Sequence, residues 1–325
     1  MNAPFPAGFH TGLRSREIVF PLLPLGKPIL ANHILTFALG CGLSTLMGIA
    51  AGAFEPRPQA ETTSVCDDLD DAPTDAFGFT DGAGIADLGH GSLGLTLGGN
   101  AGVREGRSLN RNAQLQGSYG LLPCLEISAS LFGGTTRSTI ARERLKDRSH
   151  GGSFETKYRL LNHRDHGLGL SLGMETGLER NDDRLSGRFS SYNTAFKLLA
   201  DRIIIPGSLY GAVNVSHNLI WNGPEPYQRS ATTTVGASLA WQFRPGLYLS
   251  GEVRHLRQQN SLGFGNHAGH ATFIGPGIYW QATDELAISV AYNVQVAGHE
   301  RGRDRPLDLT NFSRHLVQLD IGWSF

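Results

Sequence analysis

From His90 to the last residue, apolar and polar side chains alternate with a period of two, broken at intervals by Gly, Pro, Asn or charged clusters. In Glu285–Gly298, Leu286, Ile288, Val290, Tyr292, Val294 and Val296 share one face. Ala287, Ser289, Ala291, Asn293 and Gln295 share the other. Successive strand residues point to opposite sides of a sheet, so this is a ribbon with one apolar face. The pattern predicts strands near 89–99, 109–120, 124–133, 153–162, 167–179, 188–199, 204–217, 229–242, 246–257, 269–281, 285–298 and 313–325. Each is long enough to cross a hydrocarbon core when tilted, which takes ~9–11 residues.

The connections alternate in length. Short ones fall at Leu121–Pro123, Asn162–His166, Ala200–Arg202, Phe243–Pro245 and Ala282–Asp284. Long ones, charged or Gly-rich, fall at Asn100–Ser108, Gly134–Gly152, Arg180–Gly187, Asn218–Gln228, Gln258–Ala268 and His299–Phe312. Short turns on one side and long loops on the other, with an even strand count, predict an all-β fold: a transmembrane antiparallel up-and-down β-barrel of about 12 strands. In lipid a bare strand edge has no water to satisfy it, so the sheet must close. Tyr119, Tyr158, Trp241, Trp280 and Trp323 fall near the short turns, where an aromatic girdle belongs. Pro276 interrupts an otherwise regular strand and predicts a bulge or bend, because it cannot donate to the ladder.

Ahead of the barrel, one continuous apolar run, Ile34 to Ala51, follows Arg14, Arg16 and Lys27 and ends in Ala51-Gly52-Ala53. Cationic, apolar and small residues in that order predict a secretory signal over 1–53. A membrane-anchoring helix is the alternative, since the run is long enough to span. Residues 54–88 read as an acidic, solvated periplasmic linker, with Asp67, Asp68, Asp70 and Asp71 lacking the ligand spacing of a calcium loop. The barrel takes 89–325. Export removes Cys41 and leaves Cys66 and Cys124 in an oxidising compartment, on the same side of the predicted topology, so a disulfide between them is expected.

Composition narrows the function. The 325 residues include 42 Gly and only 18% charged side chains, with net charge −1. No basic footprint for nucleic acid is present. The predicted lumen receives Glu126, Glu155, Lys157, Arg159, Glu175, Lys197, Tyr210, Tyr248, Glu252 and Arg254, together with Gln114, Gln116, Asn214 and Asp320. Twelve strands lie between a barrel filled by its own side chains and one that holds an aqueous channel. The lining therefore predicts a narrow pore of mixed charge, or a self-neutralising ladder of ion pairs that plugs the barrel. Arg142, Arg144 and Lys146, in an outer loop, are candidates for binding anionic lipopolysaccharide, with plain solvation as the alternative.

Catalytic and cofactor chemistry finds little support. Ser216 and His217 are adjacent and so face opposite sides of a strand, while Ser313 and His315 share a face but have no evident orienting carboxylate. His163-x-x-His166 and His267-x-x-His270 lack a third metal ligand in the sequence. The Gly-rich stretches lack the lysine of a phosphate loop. No cofactor and no enzymatic activity are expected; the alternatives to a channel are a plugged structural or binding barrel acting through its outer loops and, second, a lipid- or lipopolysaccharide-modifying barrel enzyme.

The last strand alternates Val317, Leu319, Ile321, Trp323 and Phe325 with Gln318, Asp320, Gly322 and Ser324. In this it resembles bacterial outer-membrane β-barrel proteins, whose terminal aromatic is read by the barrel-insertion machinery, so Phe325 is the expected recognition residue. Ala76-Phe77-Gly78-Phe79-Thr80-Asp81-Gly82, Gly275-Pro276-Gly277 and Asn311-Phe312-Ser313-Arg314-His315 are similar to a group of uncharacterised proteobacterial outer-membrane proteins. These are loosely similar in turn to the transporter family named for the MetA pathway of phenol degradation. That resemblance implies transport of small, aromatic compounds and carries no catalytic residues; with the lumen lining, the expectation is passive or facilitated passage of small polar or aromatic solutes.

Overall fold

The computed structural model describes residues 73–103, 107–140, 143–183, 187–223 and 226–325. Twelve strands follow one another: β1 (Gly91–Ala101), β2 (Arg107–Leu122), β3 (Leu125–Ile140), β4 (Glu143–Leu161), β5 (Gly169–Asp183), β6 (Gly187–Ile205), β7 (Leu209–Asn222), β8 (Gln228–Arg244), β9 (Leu247–Gln259), β10 (His267–Gln281), β11 (Leu286–Glu300) and β12 (His315–Ser324). Every strand pairs antiparallel with its sequence neighbours, and β1 pairs with β12 to close the sheet. The seam runs from Ser92 opposite Ser324 to Ala101 opposite His315. Gly91 and Phe325 extend it by exchanging both backbone hydrogen bonds, at 3.0 and 2.9 Å. No edge is left unpaired, which removes the backbone cost of an open sheet.

The two faces of the sheet are inverted relative to a soluble protein. Leu93, Leu95, Leu115, Leu131, Phe154, Leu172, Val213, Leu239 and Ile278 all stand exposed on the outside. Ser128, Ser130, Ser171, Ser238, Ser250 and Ser289 are buried toward the lumen. Tyr119, Tyr158, Trp241, Trp280 and Trp323 are exposed outward near the short turns, as the sequence predicts. An apolar outer band of this extent is far larger than a soluble monomer exposes.

Three expectations about connections need correction. The long loop expected at Gly134–Gly152 is strand: β3 runs to Ile140 and β4 starts at Glu143. β5 and β6 likewise extend through most of Arg180–Gly187. These extensions are mostly polar, so hydrophobic alternation lapses while Thr135, Thr136 and Thr139 keep the chain extended. The turn expected at Ala200–Arg202 lies instead at Pro206–Ser208, closed by Ser208 N–H donating to Ile205 O at 3.0 Å. Pro276 sits where predicted: Gly275 and Pro276 have no rung with β11, between Ile274↔Val294 and Gly277↔Ala291.

The described part of the expected linker is not solvated. Residues 73–88 enter the barrel at the short-turn end and fill the lumen there. Ala76, Phe77, Thr80 and Ala83 are fully buried, inside a ring of strands. A short 3-10 turn, Thr74–Phe77, starts the segment. It leaves along β2, where Leu88 bridges Gly120 and Gly89 N–H donates to Gly120 O at 2.9 Å. The approach is so close that a Cβ on Gly120 would lie 2.0 Å from Asp87 O. Residues 1–72, with the signal segment, the acidic cluster and Cys66, lie outside the described residues. Cys124, in the β2–β3 turn, is disulfide-bonded.

Replacing Gly120 with Val should therefore unseat the segment entering β1, at a cost of about 1–3 kcal/mol for an overpacked site. A lowered melting transition of the detergent-solubilised barrel would register it, and an unchanged transition would contradict the close approach.

Candidate functional site

The lumen is the candidate site, and the inserted segment defines its floor. Three wall carboxylates from three strands each accept a main-chain amide of this segment. Glu126 of β3 takes Ala86 N–H at 2.7 Å, Asp201 of β6 takes Ala83 N–H at 2.8 Å, and Glu252 of β9 takes Phe79 N–H at 3.1 Å. Glu252 also accepts from the Thr80 hydroxyl at 3.0 Å and from the Asn293 amide. Lys157 Nζ donates to Gly84 O at 3.1 Å, and the Ser171 hydroxyl donates to Ala83 O. The Arg254 guanidinium lies 4.9 Å from the centre of the Phe79 ring. Charge-assisted bonds of this kind are roughly twice as strong as neutral ones.

Below these contacts Phe77 packs among Tyr210, Tyr248 and Tyr279. The Tyr210 and Tyr248 rings are 6.0 Å apart, and Tyr248 and Tyr279 meet edge to face at 5.6 Å. The far half of the lumen is open on one side. A cavity of about 520 Å³ is lined by Asn100, Asn110, Asn112, Gln114, Asn181, Asn193 and Asn222, with Phe132 and Phe189. At its base Lys197 Nζ bridges Glu155 at 3.0 Å and Glu175 at 2.9 Å. Opposite it, the β11–β12 connection folds inward: Phe312 meets Phe273 edge to face at 6.5 Å, and Asp308 is fully buried.

The ten lining residues expected from the sequence are not brought together as one pore wall. Glu126, Lys157, Tyr210, Tyr248, Glu252 and Arg254 hold the inserted segment. Glu155, Glu175 and Lys197 form a separate ion triad, and Arg159 is buried near the short-turn end. Asp201, Ser171, Asn293 and Tyr279 do comparable work and escaped the sequence reading. Asp201 was hidden by the misplaced turn, although Leu199, Asp201 and Ile203 continue the alternation of β6. Asp201 also pairs with His163, 3.0 Å away, so His163 of the first His-x-x-His pair is a buried structural partner. The other pair, His267 and His270, stacks at 5.5 Å. Of the expected anion-binding loop, Arg142 lies outside the described residues. Arg144 and Lys146 belong to strand β4, with Lys146 exposed on its outward face.

Asp75, at the start of the segment, lies within the ring of strands but is itself exposed. Burial in the ring of strands, with Asp81, Asp320 and Glu126 nearby and Lys157 opposing, pushes its carboxyl up to about 6. A raised acid pKa means the inserted state holds its proton where the free segment has lost it. Insertion is then strongest below the ordinary carboxylate range, weakens as pH rises toward 6, and carries the full penalty above it. Asp75→Asn should remove this dependence. Protease cleavage within 73–88, compared at acidic and neutral pH, should rise with pH in the parent chain and stay flat in the variant.

None of the curated proteins matches the chain in sequence. Among solved structures the chain is similar to the COG4313 outer membrane channel from Pseudomonas putida F1, at 12% identity and TM-score 0.50, covering 74% of this chain and 97% of that one. It is also similar to the beta domain of the Bordetella autotransporter BrkA, at 11% identity and TM-score 0.53, covering 73% and 100%. At such identities these likenesses establish the barrel fold alone. The model of a family of unknown function, DUF6662, matches residues 70–325, and the chain belongs to that family.

Proposed function

We propose that the chain is an outer-membrane channel for small polar or aromatic solutes, closed at rest by its own residues 73–88. The observation that carries this reading is the amide-lined cavity above a floor made of one removable segment. The cavity offers hydrogen-bond donors and acceptors to a solute, and Phe132 and Phe189 offer ring faces. The floor is held by hydrogen bonds that water or a solute can replace, and by one buried ring, Phe77. The apolar outer band, the aromatic girdle and the signal-like segment support export through the general secretory route and location in the outer membrane of a Gram-negative cell. Phe325, paired with Gly91 at the seam, is the residue offered to the barrel-insertion machinery. Kinship with the phenol-degradation transporters belongs to the same reading and favours aromatic solutes. No catalysis is part of it.

Cys66 is the proposed partner of Cys124. A bond there tethers the inserted segment to the β2–β3 turn, so the segment could leave the lumen without leaving the barrel. Alkylation of both thiols in unreduced protein would remove the tether from the account.

A second reading, a plugged binding barrel acting through its far-end connections, is favoured by the number of contacts that hold the segment. Conductance separates the two. Phe77→Ala removes a buried ring worth about 1.5–3 kcal/mol and so raises the open fraction roughly tenfold to a hundredfold. Planar bilayers should then show rare openings for the parent barrel and frequent ones for Phe77→Ala. Silence from the folded variant would end the channel reading and leave the plugged barrel.

A further inference from the structure

The outer wall over β6–β11 carries a groove of about 950 Å³. Its sides are Ile204, Val213, Leu239, Val253 and Ile274, and its floor includes Gly211 and Gly251. A barrel is convex outside, so such a depression needs small residues where side chains normally stand. Gly251 supplies this: a Cβ there would meet open space.

At the far end of the groove the apolar surface stops and imidazoles begin. Val253 pairs with Ile274, and one outward rung further His255 pairs with Thr272 and bonds its hydroxyl at 3.0 Å. Around His270 lie His255 at 5.4 Å, His267 at 5.5 Å and His299 at 6.1 Å between ring centres. Arg257 Nε donates to His267 Nδ1 at 3.2 Å, and Arg301 lies at the same rim, bonded to Asn266 at 3.2 Å. On the β12 side, His315 is bonded to Tyr292, which also borders the groove, at 2.7 Å. The outward positions of β9–β12 carry no carboxylate among the described residues. Nor do those residues contain a group of three or more His, Cys, Asp or Glu side chains arranged to hold a metal ion. Guanidinium and imidazole N–H groups without a carboxylate suit a phosphate.

We propose that this wall binds a phosphorylated glycolipid of the outer leaflet, with an acyl chain in the groove and a phosphate on Arg257 and the histidines around His270. The charge complements the phosphate, and the groove begins one rung below it, so a single amphiphile meets both. The inference rests on the outer-membrane reading for the identity of the lipid and is independent of whether the lumen conducts.

The test uses the full detergent-solubilised barrel, with bisphosphorylated lipid A as the probe and native mass spectrometry as the readout. The parent should retain the lipid. Arg257→Gln with His270→Gln should lower retention by about tenfold or more, the usual effect of removing a charged hydrogen-bond donor, here the Arg257 guanidinium, together with a neighbouring imidazole. Gly251→Leu, which fills the groove, should lower it similarly. Heat-modifiable migration verifies that each variant is folded. Equal retention by the double variant, or of lipid A stripped of both phosphates, would overturn the headgroup assignment. Equal retention by Gly251→Leu, with inorganic phosphate competing fully, would reduce the site to one for free phosphate and overturn the glycolipid. Lost binding with intact conductance would leave the channel reading standing, and the converse would refute the channel alone.

Discussion

The structure depends on the seam between β1 and β12. Joining them leaves no strand without a partner, and a chain that pairs all its backbone groups in this way can turn apolar side chains to a solvent that offers no hydrogen bonds. Inversion follows directly. With Leu93, Leu95 and Leu97 outside, their neighbours on the same strand must face the axis, and Thr96 meets Asp320 there at 2.7 Å across the seam. A closed sheet thus commits its polar residues to a confined interior, where each must find a partner.

That confinement explains why the lumen is shared between water and chain. Twelve strands enclose more room than their own inward side chains fill, and carboxylates such as Glu252 and Asp201 are costly to bury without donors. Residues 73–88 answer both demands at once. They add Phe77 to a floor of tyrosines, and their amides satisfy acids on β3, β6 and β9. Where the segment is absent, in the far half, asparagines line a cavity, and Lys197 neutralises Glu155 and Glu175 at its base. The same wall is therefore a socket at one end and a vestibule at the other.

Much of this was legible in the sequence, because strand alternation records which face is which. The terminal strand from Val317 to Phe325, the girdle tryptophans and the irregularity at Pro276 were all readable for that reason. Alternation fell silent where both faces meet water, so Thr135–Thr139 looked like loop when it is strand. It was equally silent about what lies inside a barrel. The composition of residues 73–88 is that of a solvated linker, and only the enclosing wall makes Phe77 a core residue. The groove was hidden for a related reason: Gly211 and Gly251 read as punctuation in a sequence, whereas three dimensions place them on either side of Leu239 on one rung of the outer wall.

The way the inserted segment is gripped has a consequence for how freely it can vary. Glu126, Asp201 and Glu252 hold Ala86, Ala83 and Phe79 by their peptide nitrogens, which every amino acid except proline can supply. The wall therefore grips a path of the main chain, while the fully buried Ala76, Thr80 and Ala83 hold the side chains along it to small size. Latitude in this stretch belongs to its exposed positions, such as Asp81, Asp87 and Leu88, whereas the ring among the tyrosines, the small buried positions and the three acids have little.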